Sequence, residues 1–340
     1  MMTPLQVEAA GLCCALGYNL AAASCALRAG MDHFQESEFV AGGGAKVRVA
    51  RLPDTSTWGS KRIAQWIKLA VEDCLGKIPS LDTQIVPLIV LCPTQDRPMV
   101  DDDWCLDTYR FAEQAIGRSF DPRSAILPNG RAGFMQALQL AQRWIHEEQV
   151  ARVLIVGADS YLDAAGINHY LDEERLLIPG NRDGFLPGEA AAAVLLSKPG
   201  SAPGVRVMGV TTANEPGRPD GSVPSRAQGL SQAIRSACAQ AGTQPGALRF
   251  RMSDQNGESF FAAEAANAMT RVLWQCATQP TVLTTADCVG EVGAATGPLM
   301  LAHLSAVMAG PHSPGDTGLV HLANDNGLRG ALIVQHHPGN

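Results

Sequence analysis

Aromatic side chains are scarce, at 5% of a 340-residue chain that is otherwise 46% hydrophobic. Small residues take their place, and 34 positions are glycine. The interior is therefore expected to form by close approach of helices to sheet rather than around large rings. Runs of lysine and arginine are missing as well. With a net charge of −7 and a pI near 5.6, nucleic acid and anionic membranes are poor matches as main partners. No apolar stretch reaches the ~20 residues that span a bilayer. The N-terminus shows neither the basic start nor the long apolar segment of a signal peptide. No CxxC pair and no Cys/His cluster points to a metal site. The nine cysteines are odd in number and scattered, so reduced, buried thiols in a cytoplasmic protein are expected.

What the chain does have is a steady alternation of strand and helix patterns. Strands are expected at 5–14 (ending at Gly11), 46–52, 85–92, 153–156 and 190–196. Helices are expected at 20–28, 61–75, 104–116 and from Arg131 through Ile145. Asp101, Asp102 and Asp103 are expected to cap the third of these. The Pro- and Gly-rich stretch 198–204 reads as a joint between halves 1–200 and 201–340. After it, strands at 205–210, 248–252, 281–285, 319–322 and 330–335 alternate with helices at 225–241 (capped by Ser225), at 260–274 and through His303 to Met308. Such alternation predicts largely parallel sheets with helices on both faces.

One stretch organises the rest: Pro128-Asn129-Gly130-Arg131-Ala132-Gly133-Phe134. It follows an apolar run, 125–127, and opens a helix. Gly130 and Gly133 allow an abrupt strand-to-helix turn. A helix N-terminus aimed into a tight space favours negative charge, and a cysteine there would be a reactive thiolate. The sequence places Arg131 there instead.

Several turns together resemble the condensing enzymes of the thiolase fold, the β-ketoacyl synthases above all. The run Arg182-Asp183-Gly184-Phe185-Leu186-Pro187-Gly188-Glu189, continuing through Leu195, looks like the family's RDGFVxGEGAGVLVL. Residues 154–159 resemble its ALVGGxD strand. Ala132-Gly133-Phe134 with Ala137-Leu138 resembles the CAGFxxAL nucleophile segment. Gly290 and Gly293-Ala294-Ala295 resemble GHxxGAAG. Ala10-Gly11-Leu12 and Leu27-Arg28-Ala29-Gly30 resemble the family's opening strand and first helix end. The resemblance implies an α/β, thiolase-like, five-layered α-β-α-β-α fold made of two similar halves.

The same resemblance implies a Cys-His-His triad, and each position departs from it. The cysteine falls on Arg131, the first histidine on Asp254 and the second on Glu291. The closing loop, Asn324-Asp325-Asn326-Gly327, lacks the family's aromatic gate. A guanidinium cannot act as a nucleophile, and carboxylates would repel the enolate or oxyanion that imidazoles stabilise. No catalytic residue, cofactor or metal is therefore expected. Asp254 and Glu291 could each give Arg131 a carboxylate partner, forming an ion cluster in the former active site. The alternative is an Arg131 that points to solvent. Cys288, Asn256, Gly257 and Gly290 are expected to line the remnant pocket.

Among other candidates, Cys288 is the best remaining thiol, although a small packed residue is the simpler reading. Glu189 reads as a structural acceptor beneath the site. Glu258 and Glu264 have no activated partner in the sequence. Three functions remain open. The first is a non-catalytic scaffold, partner subunit or accessory, of the chain-length-factor or secretion-effector kind. The second is an acyltransferase or hydrolase using another residue on acyl-coenzyme A or acyl-carrier-protein thioesters. The third is a binder of acyl carrier protein or of an acyl group without turnover. The resemblance also implies a homodimer, or a heterodimer with a related chain, formed through residues 124–127.

Overall fold

The structure, a computed structural model, describes residues 3–53, 56–98, 100 and 102–339. Asp101 of the expected cap lies outside them. The first half runs β1 (Leu5–Cys14), α1 (Leu20–Arg28), β2 (Phe34–Val40), β3 (Lys46–Ala50), α2 (Gly59–Leu75), β4 (Leu88–Leu91) and α3 (Asp102–Ile116). It continues with β5 (Ala125–Leu127), α4 (Gly133–His146), β6 (Arg152–Ser160), α5 (Ala164–Asp172) and β7 (Glu189–Ser197). The second half runs β8 (Gly204–Asn214), α6 (Gln228–Ala241), β9 (Phe250–Ser253), α7 (Ser259–Val272) and β10 (Thr281–Thr284). It ends with α8 (Ala286–Val289), α9 (Thr296–Val307), β11 (Thr317–Ala323) and β12 (Leu328–His337).

Strand order exposes the internal duplication. The sheet reads β10-β9-β11-β12-β8-β1-β7-β6-β4-β5. Leaving aside the separate β2–β3 hairpin, each half has its own strands in the order third, second, fourth, fifth, first. Directions repeat too. In both halves the first strand is antiparallel to the fifth, the fifth is antiparallel to the fourth, and the remaining pairs are parallel. The halves meet where Leu5 and Gln6 pair with Val207 and Arg206.

Helices α4 and α9 touch strands of both halves and form the middle layer. Helices α2 and α3 cover the outside of the first half, and α6 and α7 that of the second. The result is the five-layered α-β-α-β-α arrangement. Strand β7 shows how the sequence supports it. Ala190, Ala192, Val194 and Leu196 face the central core, while Ala191, Ala193 and Leu195 face the α2 side. Strands buried on both faces carry continuous apolar runs for this reason. Their small side chains let helices approach closely.

Three local expectations need correction. Strand β1 does not end at Gly11 but continues to Cys14. Gly11 serves the close approach of α2, because a Cβ there would sit 2.0 Å from the Ala70 carbonyl oxygen. Ser225 does not cap α6, which starts at Gln228 after a left-handed Ala227. Its hydroxyl accepts from the Ala227 N–H and donates to Glu264 at 2.6 Å. Helix α4 starts at Gly133 rather than at Arg131, with Ala132 as N-cap. The sequence reading had no counterpart for β2 or α5.

Candidate functional site

Gly130 turns the chain out of β5, with a φ of 60° that few side chains tolerate. Arg131 lies just before α4, and the Asn324 carboxamide caps the helix entrance by accepting the Ala132 N–H at 2.9 Å. Asn324 also donates to the Asn129 carbonyl at 2.7 Å. The loop after β11 thereby occupies the helix end that would otherwise receive an anion. Arg131 does not point to solvent, being 6% exposed.

The guanidinium is surrounded by acceptors. Nε donates to the Ala323 carbonyl at 2.6 Å and lies 3.6 Å from Asp254. Nη1 pairs with Glu291, and Nη2 reaches Asp325 at 3.3 Å. The Phe261 ring lies 4.9 Å beneath, adding a cation–π contact. Asp254 and Glu291 thus both meet Arg131. Each is also held independently. Asp254 accepts the Ala323 N–H at 2.7 Å. Glu291 accepts from Asn256 at 2.8 Å and from the Gly293 N–H at 2.9 Å.

A second arginine extends the network. Arg175 forms a bidentate pair with Glu258 at 2.7 and 3.1 Å and binds Asp325 at 2.8 Å. Asp325 therefore bridges two guanidiniums. Burial would raise its carboxyl, but Arg175 and Arg131 outweigh that and hold it below the usual carboxylate range. For Asp254 burial wins against the pull of Arg131, and the carboxyl rises to about 6.

One turn positions Glu291. In the segment that resembles the family most, the Leu186 carbonyl accepts the Glu291 N–H at 2.8 Å. The Gly188 N–H donates back to the Glu291 carbonyl at 2.9 Å. Gly184 lies against Gly257 on the other side, so close that a Cβ on Gly257 would be 2.5 Å from the Gly184 oxygen. Beneath it, the fully buried Glu189 accepts from the Leu52 N–H, from Arg62 and from Ser160.

A cavity of about 650 Å³ opens beside the cluster. Arg131, Arg175, Asp325, Arg97, Tyr161 and Tyr170 form part of its wall. Arg97 pairs with the buried Asp159 at 2.7 Å and lies 4.4 Å over the Tyr161 ring. Cys288, Asn256, Gly257 and Gly290, expected to line the remnant pocket, are not among the lining residues. Asn256 turns inward onto Glu291. Gly257 and Gly290 abut backbone oxygens of the 184–189 turn. Cys288 packs in the central core, and burial pushes its thiol up to about 11. Glu258 and Glu264 are both buried in ion pairs, with Arg175 and Arg329. Among the described residues, no three His, Cys, Asp or Glu side chains are arranged to hold a metal ion.

Sequence reading reached Arg131, Asp254 and Glu291, and Asp159 as the last residue of the 154–159 motif, but not Arg175 or Arg97. Arg175 sits between α5 and the 184–189 turn, where no motif marks it. Asp325 was visible as the residue standing in the family's closing loop, without a sign that it would pair with Arg131.

The chain has the thiolase-like fold of solved ketosynthases. Residues 128–216 match the family model of 3-oxoacyl-[acyl-carrier-protein (ACP)] synthase III. Among solved structures, a type II PKS acyl-carrier protein in complex with its ketosynthase is similar at a TM-score of 0.80 and 13% identity, covering 98% of this chain and 99% of that one. A β-ketoacyl synthase from Burkholderia phymatum STM815 is similar at 0.76 and 14% identity, covering 99% and 100%. A ketosynthase in complex with its chain length factor from Xenorhabdus doucetiae follows at 0.73 and 14% identity, covering 98% of each. No curated protein sequence matches the chain. Among the described residues, no helix is long and apolar enough to cross a membrane.

Proposed function

We propose that the chain is a non-catalytic ketosynthase-like subunit that works through its surfaces, as a scaffold or as the partner of a related chain. One observation carries this reading. Arg131, which the sequence resemblance sets at the family's nucleophile position, is a buried guanidinium paired with Glu291, Asp254 and Asp325. A permanent cation has no lone pair to offer a thioester. The carboxylates that balance it would oppose any developing oxyanion. One of the similar structures pairs a ketosynthase with a chain length factor and another with an acyl-carrier protein. Partners of both kinds suit a protein of this fold, and the dimer would form through β5.

The alternative, an acyltransferase or hydrolase using another residue, finds little support. Cys288 is buried and its thiol is held protonated by that burial. Ser24 and His303 share a hydrogen bond of 2.6 Å, but both are buried and neither lines the cavity. Burial lowers the His303 imidazole to about 4, a weak base at neutral pH. Incubation with acyl-coenzyme A followed by intact mass spectrometry tests the proposal. The expected spectrum shows the unmodified chain; an acyl adduct overturns the non-catalytic reading.

A further inference from the structure

The outer layer of the second half has an unusual charge distribution. Between residues 221 and 280 the carboxylates are Asp254, Glu258 and Glu264, and all three are buried in ion pairs with arginines of the interior. Arg226, Arg235, Arg249 and Arg271 of the same segment are exposed. Among the described residues, none of these four forms an ion pair. Three are drawn together by backbone alone. Arg235 donates to the Arg271 carbonyl at 2.8 Å, and Arg271 donates to the Arg226 carbonyl. Like charges gathered without counter-charge raise the free energy of the isolated chain. An anionic partner would relieve that repulsion.

Two of these arginines border a groove. A cavity of about 820 Å³, sharing no wall with the cleft beside Arg131, is lined by Arg235, Arg271 and Trp274. Trp274 is 79% exposed, in a chain with only five tryptophans. Exposed arginine and tryptophan are the residue types that dominate binding energy at protein interfaces.

We propose that this α6–α7 face is a docking surface for an acidic polypeptide segment. Its carboxylates would pair with Arg235 and Arg271, and one of its apolar side chains would cover Trp274. A polynucleotide fits less well. It is charged along its whole length and would run from the groove onto a molecule whose remaining surface carries the net negative charge. A peptide can confine its charge to the groove. The inference is independent of whether the Arg131 site is catalytic.

Fluorescence anisotropy with fluorescein-labelled poly(Glu,Tyr) at physiological salt tests it, with labelled oligothymidylate in parallel. The wild-type chain is expected to bind the acidic polypeptide. The double variant Arg235→Glu, Arg271→Glu is expected to weaken binding at least about tenfold. Trp274→Ala should weaken it several-fold, separating a groove from a mere cationic patch. Lys68→Glu, a reversal of the same sign on the exposed face of α2, should leave binding unchanged. No binding by the wild type, undiminished binding by the double variant, or an equal loss in Lys68→Glu overturns the proposal. Tighter binding of oligothymidylate than of poly(Glu,Tyr) also overturns it and assigns the face to nucleic acid.

Discussion

Arg131 is costly unless its partners are present, and that makes it testable. Removing one member of a buried charge network strands the others without compensation, at a cost of about 3–5 kcal/mol. Arg131→Met is expected to lower unfolding stability in urea by that amount. Adding Asp254→Asn and Glu291→Gln should restore most of it, because neutral side chains no longer need the cation. A single variant within about 1 kcal/mol of wild type would show that the cluster is not a coupled unit. Asp254 supports a second prediction, on pH. Its folded carboxyl titrates near 6, above the ~3.8–3.9 of an unfolded chain. The folded state therefore binds the extra proton, so this group's contribution to stability is greatest below about 4 and declines as pH rises to about 6. His303 and His321 act in the opposite sense. Burial lowers them to about 4 and about 3, so their contribution is lost as pH falls below their unfolded value of about 6.5. In Asp254→Asn the opposing carboxyl is gone. Stability measured by urea titration at stepped pH should then fall more steeply between pH 6 and 4 than in wild type; parallel profiles would refute the assignment.

At the scale of elements, the most legible parts of the sequence are those where backbone meets backbone. The 184–189 turn was readable because glycine is required there: a Cβ on Gly188 would lie 2.2 Å from the Val289 oxygen. The long strands were readable because burial on both faces leaves uninterrupted apolar runs, as in β7. Strand β2 was not. It is mostly exposed or half-buried, and its charges mask the alternation. Helix α5 is short and rests on a satellite cluster of Val47, Ile167, Tyr170 and Phe185, so no local period announces it. Helix α4 was found with its start displaced by two residues, because Asn324, distant in sequence, supplies the cap contact at Ala132. The middle layer offers a test of the close packing expected from so many small residues. Gly297 of α9 faces Phe134 of α4, and a Cβ there would lie 2.5 Å from the ring. Phe134 is fully buried and cannot retreat. Gly297→Ala is expected to cost about 1–3 kcal/mol through overpacking, read as a lower midpoint in chemical denaturation. An unchanged midpoint would mean that α4 and α9 can separate freely.

Across the whole molecule, the repeated strand order leaves two unpaired edges, and they differ. Strand β10 ends the second half with Val282 47% exposed. Strand β5 ends the first half with three uncharged, half-buried residues, and its C-terminal end leads straight into the turn that carries Arg131. An uncharged edge strand is a template for pairing with another chain. Pairing across β5 would fix the 128–133 turn from the far side and so connect assembly to the cluster. It also suits the isologous contact of a two-fold dimer, or its counterpart with a related chain. The expected outcome is a two-chain assembly in sedimentation velocity, formed by the chain alone or with a co-expressed ketosynthase-like chain. Ala125→Lys, which places a charge on that edge, should shift the assembly to single chains. Val282→Lys on the opposite edge should leave it intact. An assembly that survives Ala125→Lys but dissolves with Val282→Lys would place the interface at β10, and the Arg131 turn would then be remote from any partner.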